Sequence, residues 1–193
     1  LQAAFVKVKR NQGAAGVDHQ SIDAFEKKLS VNLAGLSEEL RGGSYRPRAV
    51  LRKWISKGPG GGKRPLGIPT VRDRVVQGAL RSVLEPIFER TFSEHSYGFR
   101  PQRGCKDALR EVEGHLKMGH SHIVDADLKS YFDTIPRESL MTLVAEQVSD
   151  GQVLSLVRMM LQQGVLDDGE LWTPEEGTPQ GSVISPLLAN IFL

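Results

Sequence analysis

The segment His122–Ile135 constrains this chain most, because it places carboxylates at the end of an apolar run. Asp125 and Asp127 follow that run, and Asp133 comes after two aromatic residues. The pattern predicts a strand that ends at a turn, with Asp125 and Asp127 on the same face. Carboxylates presented in this way suit Mg²⁺, which takes oxygen ligands together with substrate phosphates. For this segment alone, an Asp-rich turn after a buried strand is the alternative.

Charge is divided unevenly along the chain. Residues 1–110 carry 21 Lys/Arg against 10 Asp/Glu, net +11, whereas residues 111–193 carry 4 against 13, net −9. From Arg41 to Arg81, both included, there are eleven basic residues and a single acid, Asp73. This imbalance predicts that the first half binds a polyanion, with a solvated basic face as the alternative.

Cysteine content and hydropathy bear on the compartment. Cys105 is the only cysteine, so an internal disulfide is impossible and a reducing compartment is expected. No apolar run is long enough to cross a bilayer, which predicts a cytoplasmic protein without a membrane partner.

The chain starts without Met and stops in an apolar run, so we expect a fragment of a longer protein. Apolar surface around Ile184–Leu193 would then be exposed and would favour a homodimer.

Glycines and basic residues mark the first half. A glycine-punctuated loop at residues 11–18 precedes a predicted helix over residues 21–41. Residues 46–56 and 63–69 read as two strands, joined by the Gly-rich connection at 57–62. The joined pair is a basic flap suited to holding phosphate, or an ordinary exposed hairpin. It lacks the Gly-Lys-Ser/Thr ending of nucleotide-hydrolase phosphate loops.

Helix signals follow the flap. Thr70 and Asp73 form a capping box that opens a helix, and Arg72 and Arg74 in its first turn oppose the helix dipole unless they meet an anion. Further helices are predicted over about 105–118, 137–148 and 150–163 and from about Ser182, with a hairpin turn at Asp167-Asp168-Gly169.

Four stretches carry a resemblance to a known family. They are Asn-Gln-Gly-Ala-Ala-Gly-Val-Asp at 11–18, Lys-Arg-Pro-Leu-Gly-Ile-Pro-Thr-Val-Arg-Asp-Arg-Val-Val-Gln at 63–77, Ser-Tyr-Gly-Phe-Arg-Pro at 96–101, and Gly-Thr-Pro-Gln-Gly-Ser-Val-Ile-Ser-Pro-Leu-Leu-Ala-Asn-Ile at 177–191. With the aspartate segment, these resemble the N-terminal part of bacterial group II intron-encoded reverse transcriptases (maturases).

The resemblance implies an α+β, right-hand polymerase fold. Residues 1–110 would be the fingers, which bind RNA template and nucleotide. Residues 111–193 would be a partial palm, an antiparallel sheet backed by helices, and the thumb would be absent. The family's two Mg²⁺ ions support nucleotidyl transfer. Asp127 matches the first catalytic aspartate and metal ligand, and the Leu128 carbonyl matches a backbone ligand.

The family's other carboxylates lie in a Tyr-X-Asp-Asp motif that this sequence lacks, so the fragment alone would be inactive. The remaining residues carried over from the family fall into two groups. The nucleotide-binding group is Lys57, Arg64, Phe132 (the gate against ribonucleotides) and Gln180. The template-binding group is Asn11, Gln12, Gly13, Ala14, Gly16, Arg72, Arg74, Arg100 and Gly181. Asp125 and Asp133 are assigned to neither group.

The leading hypothesis is therefore an enzyme, an RNA-directed DNA polymerase. Its expected partners are group II intron RNA, an RNA template with a DNA primer, and deoxynucleoside triphosphates. One alternative is a non-enzymatic RNA-binding module that assists intron splicing. Another is a defence or diversity-generating reverse transcriptase.

Overall fold

The computed structural model describes residues 1–58 and 60–193, and Pro59 in the Gly-rich connection lies outside the described residues. The expected α+β class is confirmed. In chain order the described elements are α1 (Gln2–Asn11), α2 (Ile22–Glu26), α3 (Leu29–Arg41), β1 (Val50–Ser56), β2 (Lys63–Ile68), α4 (Val71–Phe88), α5 (Cys105–Lys117), α6 (Tyr131–Thr134), α7 (Arg137–Gln147), α8 (Gly151–Leu161), β3 (Val165–Asp167), β4 (Glu170–Trp172) and α9 (Ser185–Phe192).

Helix α4 lies at the centre of the first half. Thr70 caps it as the sequence predicts, since the Asp73 N–H donates to the Thr70 hydroxyl at 3.2 Å. Its apolar face is fully buried and packs against α1, whose Phe5 stacks on Phe25 of α2 with ring centroids 5.6 Å apart. Burying one such aromatic side chain contributes about 1.5–3 kcal/mol.

The sheet joins the two halves of the chain. Its order is β2-β1-β3-β4, with β1–β2 and β3–β4 antiparallel and β1–β3 parallel. The described sheet is therefore mixed, and of the antiparallel sheet expected within residues 111–193 it contains the β3–β4 pair. Val50 pairs with Val165, so each half of the chain supplies two strands. The hairpin turn is where the sequence predicts it, with Asp168 and Gly169 both at positive φ.

The C-terminal apolar run is mostly buried rather than exposed. Ile184, Leu187 and Leu188 each keep no more than 3 % of their surface, because α9 packs against α4 and α7. Leu193 alone of this run is strongly exposed, at 75 %. The expected exposed apolar patch is therefore wrong, and helix α9 begins at Ser185 rather than near Ser182.

The long helix predicted over residues 21–41 is two helices. The chain turns at Lys27 and Lys28, and the Asn32 side-chain amide donates to the Phe25 carbonyl at 2.8 Å across that turn. This side-chain bond occupies a carbonyl that a continuous helix would use. Within the described residues, no helix combines the length and apolar character needed to span a membrane.

Candidate functional site

The segment that carries Asp125 and Asp127 is not a strand in the structure. Residues 120–128 form neither helix nor strand, and Ile123 and Val124 are 72 % and 94 % exposed. A strand needs a neighbour for its backbone hydrogen bonds, and no described strand pairs with this segment. The predicted strand is therefore wrong, while both carboxylates lie open to solvent.

The same exposed segment holds the two expected metal ligands, the Asp127 carboxylate and the Leu128 carbonyl. Across residues 1–58 and 60–193, no three His, Cys, Asp or Glu side chains gather into a group that could hold a metal ion. Mg²⁺ demands near-octahedral oxygen coordination. The described residues therefore do not fit a complete magnesium site, and Asp127 offers one carboxylate toward such a site.

Helix α6, a single turn after the aspartate segment, is tied to the loop at 176–181 through the main chain. The Gly177 N–H donates to the Ile135 carbonyl at 2.9 Å, and the Thr178 N–H donates to the Phe132 carbonyl at 2.7 Å. Gly177 has φ +79°, and a Cβ there would lie 2.7 Å from the Asp133 carbonyl group. Only glycine permits this approach without displacing the backbone.

Phe132, the expected gate, is half-buried on this turn. Its ring meets that of Phe99 edge to face, with centroids 6.4 Å apart. The neighbouring Tyr131 hydroxyl donates to the Ala189 carbonyl at 2.8 Å, and burial raises the pKa of that hydroxyl. The ring of Phe132 is thus held by an aromatic neighbour, and its backbone is held by the loop.

Gln180 lies where the flap meets helix α6. Its carbonyl accepts a hydrogen bond from the Gly67 N–H of β2 at 2.7 Å. Its side-chain amide donates to the Asp133 carboxylate at 2.7 Å. Gly181 has φ +96°, and a Cβ there would collide with the Gly67 carbonyl oxygen. Two expected site residues, Gln180 and Gly181, are therefore packed directly against strand β2.

A buried chain of amides holds the same loop from its other side. The Val183 N–H donates to Gln77 Oε1 at 2.9 Å, and Gln77 Nε2 donates to Gln163 Oε1 at 3.3 Å. Gln163 in turn donates to the Arg48 carbonyl at 2.8 Å. Sequence reasoning assigned no role to Gln77. Gln77 could have been noticed in the sequence as an amide among the mostly apolar inward positions of α4, because a buried amide needs hydrogen-bond partners.

The flap forms as predicted, and its cations Lys53, Lys57, Lys63 and Arg64 are exposed. Arg52 of β1 is partly buried and pairs with Asp167 at 3.5 Å. Arg64 on β2 pairs across the hairpin with Ile55, and the Lys57 N–H donates to the Gly62 carbonyl at 2.9 Å. Lys57 and Arg64 are both exposed. An exposed ammonium and an exposed guanidinium can hold phosphate oxygens by point charge and by a planar donor fork, respectively.

The loop at 11–18 is docked on the start of α4. Arg74 donates to the Ala14 carbonyl at 2.7 Å and to the Gln12 carbonyl at 3.4 Å. Gly16 is buried, and a Cβ there would lie 2.7 Å from the Thr70 nitrogen. Residues 11–14 remain exposed. The loop is thereby held with its tip open to solvent.

The three arginines expected to contact template or flap have partners inside the protein. Arg72 pairs with Glu39 and lies over the Tyr45 ring. Arg74 supports the loop at 11–18, and burial lowers its pKa. The Arg100 side chain is 4 % exposed and donates to Glu89 at 2.8 Å. The structure therefore gives Arg74 and Arg100 supporting positions rather than the expected template-facing ones, because their guanidinium groups are used within the protein.

Comparisons with known proteins place the chain in a family. Residues 55–193 match the reverse transcriptase (RNA-dependent DNA polymerase) family. The chain is 41 % identical over 182 residues to the protein YkfC of Escherichia coli K12, covering 92 % of this chain and 48 % of YkfC. It is 35 % identical over 192 residues to the group II intron-encoded protein LtrA of Lactococcus lactis subsp. cremoris, covering 98 % of this chain and 31 % of LtrA.

A solved structure shares the fold. A chain of a partial Cas6-RT-Cas1–Cas2 complex superposes with a TM-score of 0.65 at 22 % identity, covering 98 % of this chain and 31 % of that one. The chain spans about half the length of YkfC and about a third of LtrA. The expected likeness to group II intron-encoded proteins is confirmed, and with 139 of its 193 residues inside the matched region (residues 55–193), the chain belongs to the reverse transcriptase family.

Proposed function

We propose that this chain forms the nucleotide- and template-binding part of an RNA-directed DNA polymerase of the kind encoded by group II introns. The observation that carries the proposal is the junction at Gln180, which joins flap strand β2 to the turn that bears Phe132. Within it, residues 1–110 act as fingers and residues 111–193 as a partial palm.

Each group in the junction has a proposed part in binding. Lys57 and Arg64 hold the triphosphate of the incoming nucleotide, because they are exposed cations on the flap. Phe132 crowds the 2′ position of the sugar and so selects deoxynucleotides, while Gln180 lies beside the sugar. Asp127 and the Leu128 carbonyl would each supply one of the oxygen ligands of a magnesium ion.

Template binding is proposed for the loop tip and the flap junction. The exposed residues of the loop tip are Asn11, Gln12, Gly13 and Ala14. The close contact of Gly16 with Thr70 determines how near the loop lies to α4. Gly181 is exposed and has no side chain, so a nucleic-acid backbone can approach it closely. Arg74 supports the loop tip from behind, whereas Arg72 and Arg100 bind Glu39 and Glu89 elsewhere in the protein.

Asp127→Asn, made in the protein that carries this chain, tests the proposal. We expect nucleotide addition on an RNA template with a DNA primer to be abolished, because the amide removes the anionic ligand. Affinity for RNA should stay within about twofold of the parent, because one exposed carboxylate contributes little to phosphate binding.

Asp168→Asn is the matched control for this experiment. Asp168 is a carboxylate in the β3–β4 turn with φ +48°, a conformation that Asn also tolerates. Polymerisation should be unchanged in the control. Full polymerisation by Asp127→Asn would reject the assigned role of Asp127.

A second candidate is an RNA-binding module that assists intron splicing without copying. The net charge of +11 on residues 1–110 favours it, because such a charge binds structured RNA irrespective of chemistry at Asp127. An Asp127→Asn protein that still promotes splicing of its intron RNA would show that both functions reside in one protein.

A further inference from the structure

We propose that Asp133 is a positioning residue that sets the orientation of the Gln180 carboxamide, so that the amide oxygen faces the sugar of the bound nucleotide. The inference rests on the proposed function and deepens it, since it names the residue that controls recognition of the sugar. Neither the sequence pattern nor the family resemblance assigned Asp133 a role.

The orientation follows from the chemistry of the pair. Gln180 Nε2 lies 2.7 Å from the Asp133 carboxylate. An ionised carboxylate only accepts hydrogen bonds, so the NH₂ end of the amide must face it. The oxygen end then points away from Asp133 as a free acceptor. Without the carboxylate, the amide can turn over and present either end.

The backbone on both sides of the pair is fixed independently of the side chains. The Gln180 carbonyl is held by Gly67 of β2, and the turn of Asp133 is held by the main-chain bonds of Gly177 and Thr178. Close glycine packing at Gly177 and Gly181 leaves little room for the loop to shift. Because the backbone is held on both sides, the Asp133–Gln180 hydrogen bond determines only how the two side chains are oriented.

An outward amide oxygen recognises a hydrogen-bond donor. The sugar of a deoxynucleoside triphosphate carries one free hydroxyl that can donate to such an oxygen, the 3′-hydroxyl. A dideoxynucleotide lacks that hydroxyl, so it gains nothing from the oriented amide. Asp133 thereby favours deoxynucleotides over dideoxynucleotides, and this preference distinguishes positioning from a general structural role.

The test compares Asp133→Ala, Gln180→Ala and the double variant in the protein that carries this chain, using a deoxynucleotide and its dideoxy counterpart. We expect Asp133→Ala to lower kcat/KM for the deoxynucleotide roughly threefold to tenfold, mainly through KM. The dideoxynucleotide should be used as before. The double variant should match Gln180→Ala, because the two residues act through one contact. Equal losses for both nucleotides, or additive losses in the double variant, would overturn the proposal.

Glu175→Ala is the matched control, since it removes an exposed carboxylate from the same loop region. Nucleotide preference should be unchanged there.

A second measurement separates this proposal from the proposed function. The side-chain ¹⁵N–H resonances of Gln180 should move in Asp133→Ala and stay in place in Glu175→Ala, whether or not the protein copies RNA. Gln180 side-chain resonances that stay in place in Asp133→Ala would refute the positioning contact. Wild-type protein that adds no nucleotide, with the shift still present, would refute the polymerase function alone.

Discussion

At the residue scale, Asp73 shows how one buried carboxylate can organise its surroundings. It is fully buried and accepts from the Tyr45 hydroxyl at 2.6 Å, the Thr70 hydroxyl at 2.7 Å and the Arg48 N–H at 3.1 Å. These donors come from two separate parts of the chain, the stretch before β1 and the cap of α4. Sequence reasoning found Asp73 only as a helix-capping residue, because its remaining partners are distant in sequence.

The pKa of Asp73 gives a test of this arrangement. Burial raises that pKa above the ordinary carboxyl value, although three donors and Arg72 oppose the rise. The folded protein therefore binds this proton more readily than the unfolded chain does. The stability contributed by the raised pKa is present at low pH and declines as pH rises through the folded pKa.

We expect the free energy of unfolding of the wild type, relative to Asp73→Asn, to fall as the pH rises from the ordinary carboxyl pKa of about 4 toward neutrality. Urea denaturation across that range measures it. Asp125→Asn, an exposed carboxylate, should keep the wild-type pH dependence. A wild type that gains stability over Asp73→Asn as pH rises would contradict the sign derived from burial.

At the element scale, glycine contacts decide how the flap joins the loop before α9. Gly181 and Gly67 bring two backbones together where no side chain fits. Patterns of neighbouring residues predict a single helix or turn better than they predict such contacts between distant backbones. Asp150, the first residue of the helix predicted over about 150–163, caps α8 by accepting from the Gln152 and Val153 N–H groups at 2.8 and 3.1 Å.

Gly181→Ala should therefore lower the free energy of unfolding by roughly 1–3 kcal/mol, because a Cβ must displace strand β2 and the residue has positive φ. Gly114→Ala in α5 is the control, with nothing within 4 Å of its added Cβ. That change should stabilise the protein by about 0.5–1 kcal/mol. Equal effects of the two substitutions in urea denaturation would refute the close backbone packing.

At the scale of the whole molecule, the division of charge matters more than the net +2. Lys57, Lys63 and Arg64 of the flap are exposed, while Arg74 and Arg100 are buried in supporting contacts. RNA binding should therefore depend on the exposed flap cations and weaken steeply with salt.

Replacing Lys57, Lys63 and Arg64 together by Ala should make the plot of log affinity for RNA against log salt shallower by roughly 2–3. Filter binding over a salt series measures this slope. Lys117→Ala is the control, because Lys117 lies in the acidic half and pairs with Glu113 at 2.6 Å. If the affinity for RNA did not change with salt concentration, binding of RNA by the exposed basic residues would be refuted.

The sequence by itself determined the local features of this protein: the capped helices, the basic hairpin, the division of charge and the motifs of the family. These depend on residues close in sequence, where spacing, caps and turns act directly. Tertiary structure alone decided which residues meet. It turned Arg74 and Arg100 inward, left the Asp127 segment unpaired with any of the described strands, and brought Asp133 to Gln180 across 47 residues. Such contacts depend on packing and backbone pairing between distant segments, which no local pattern specifies.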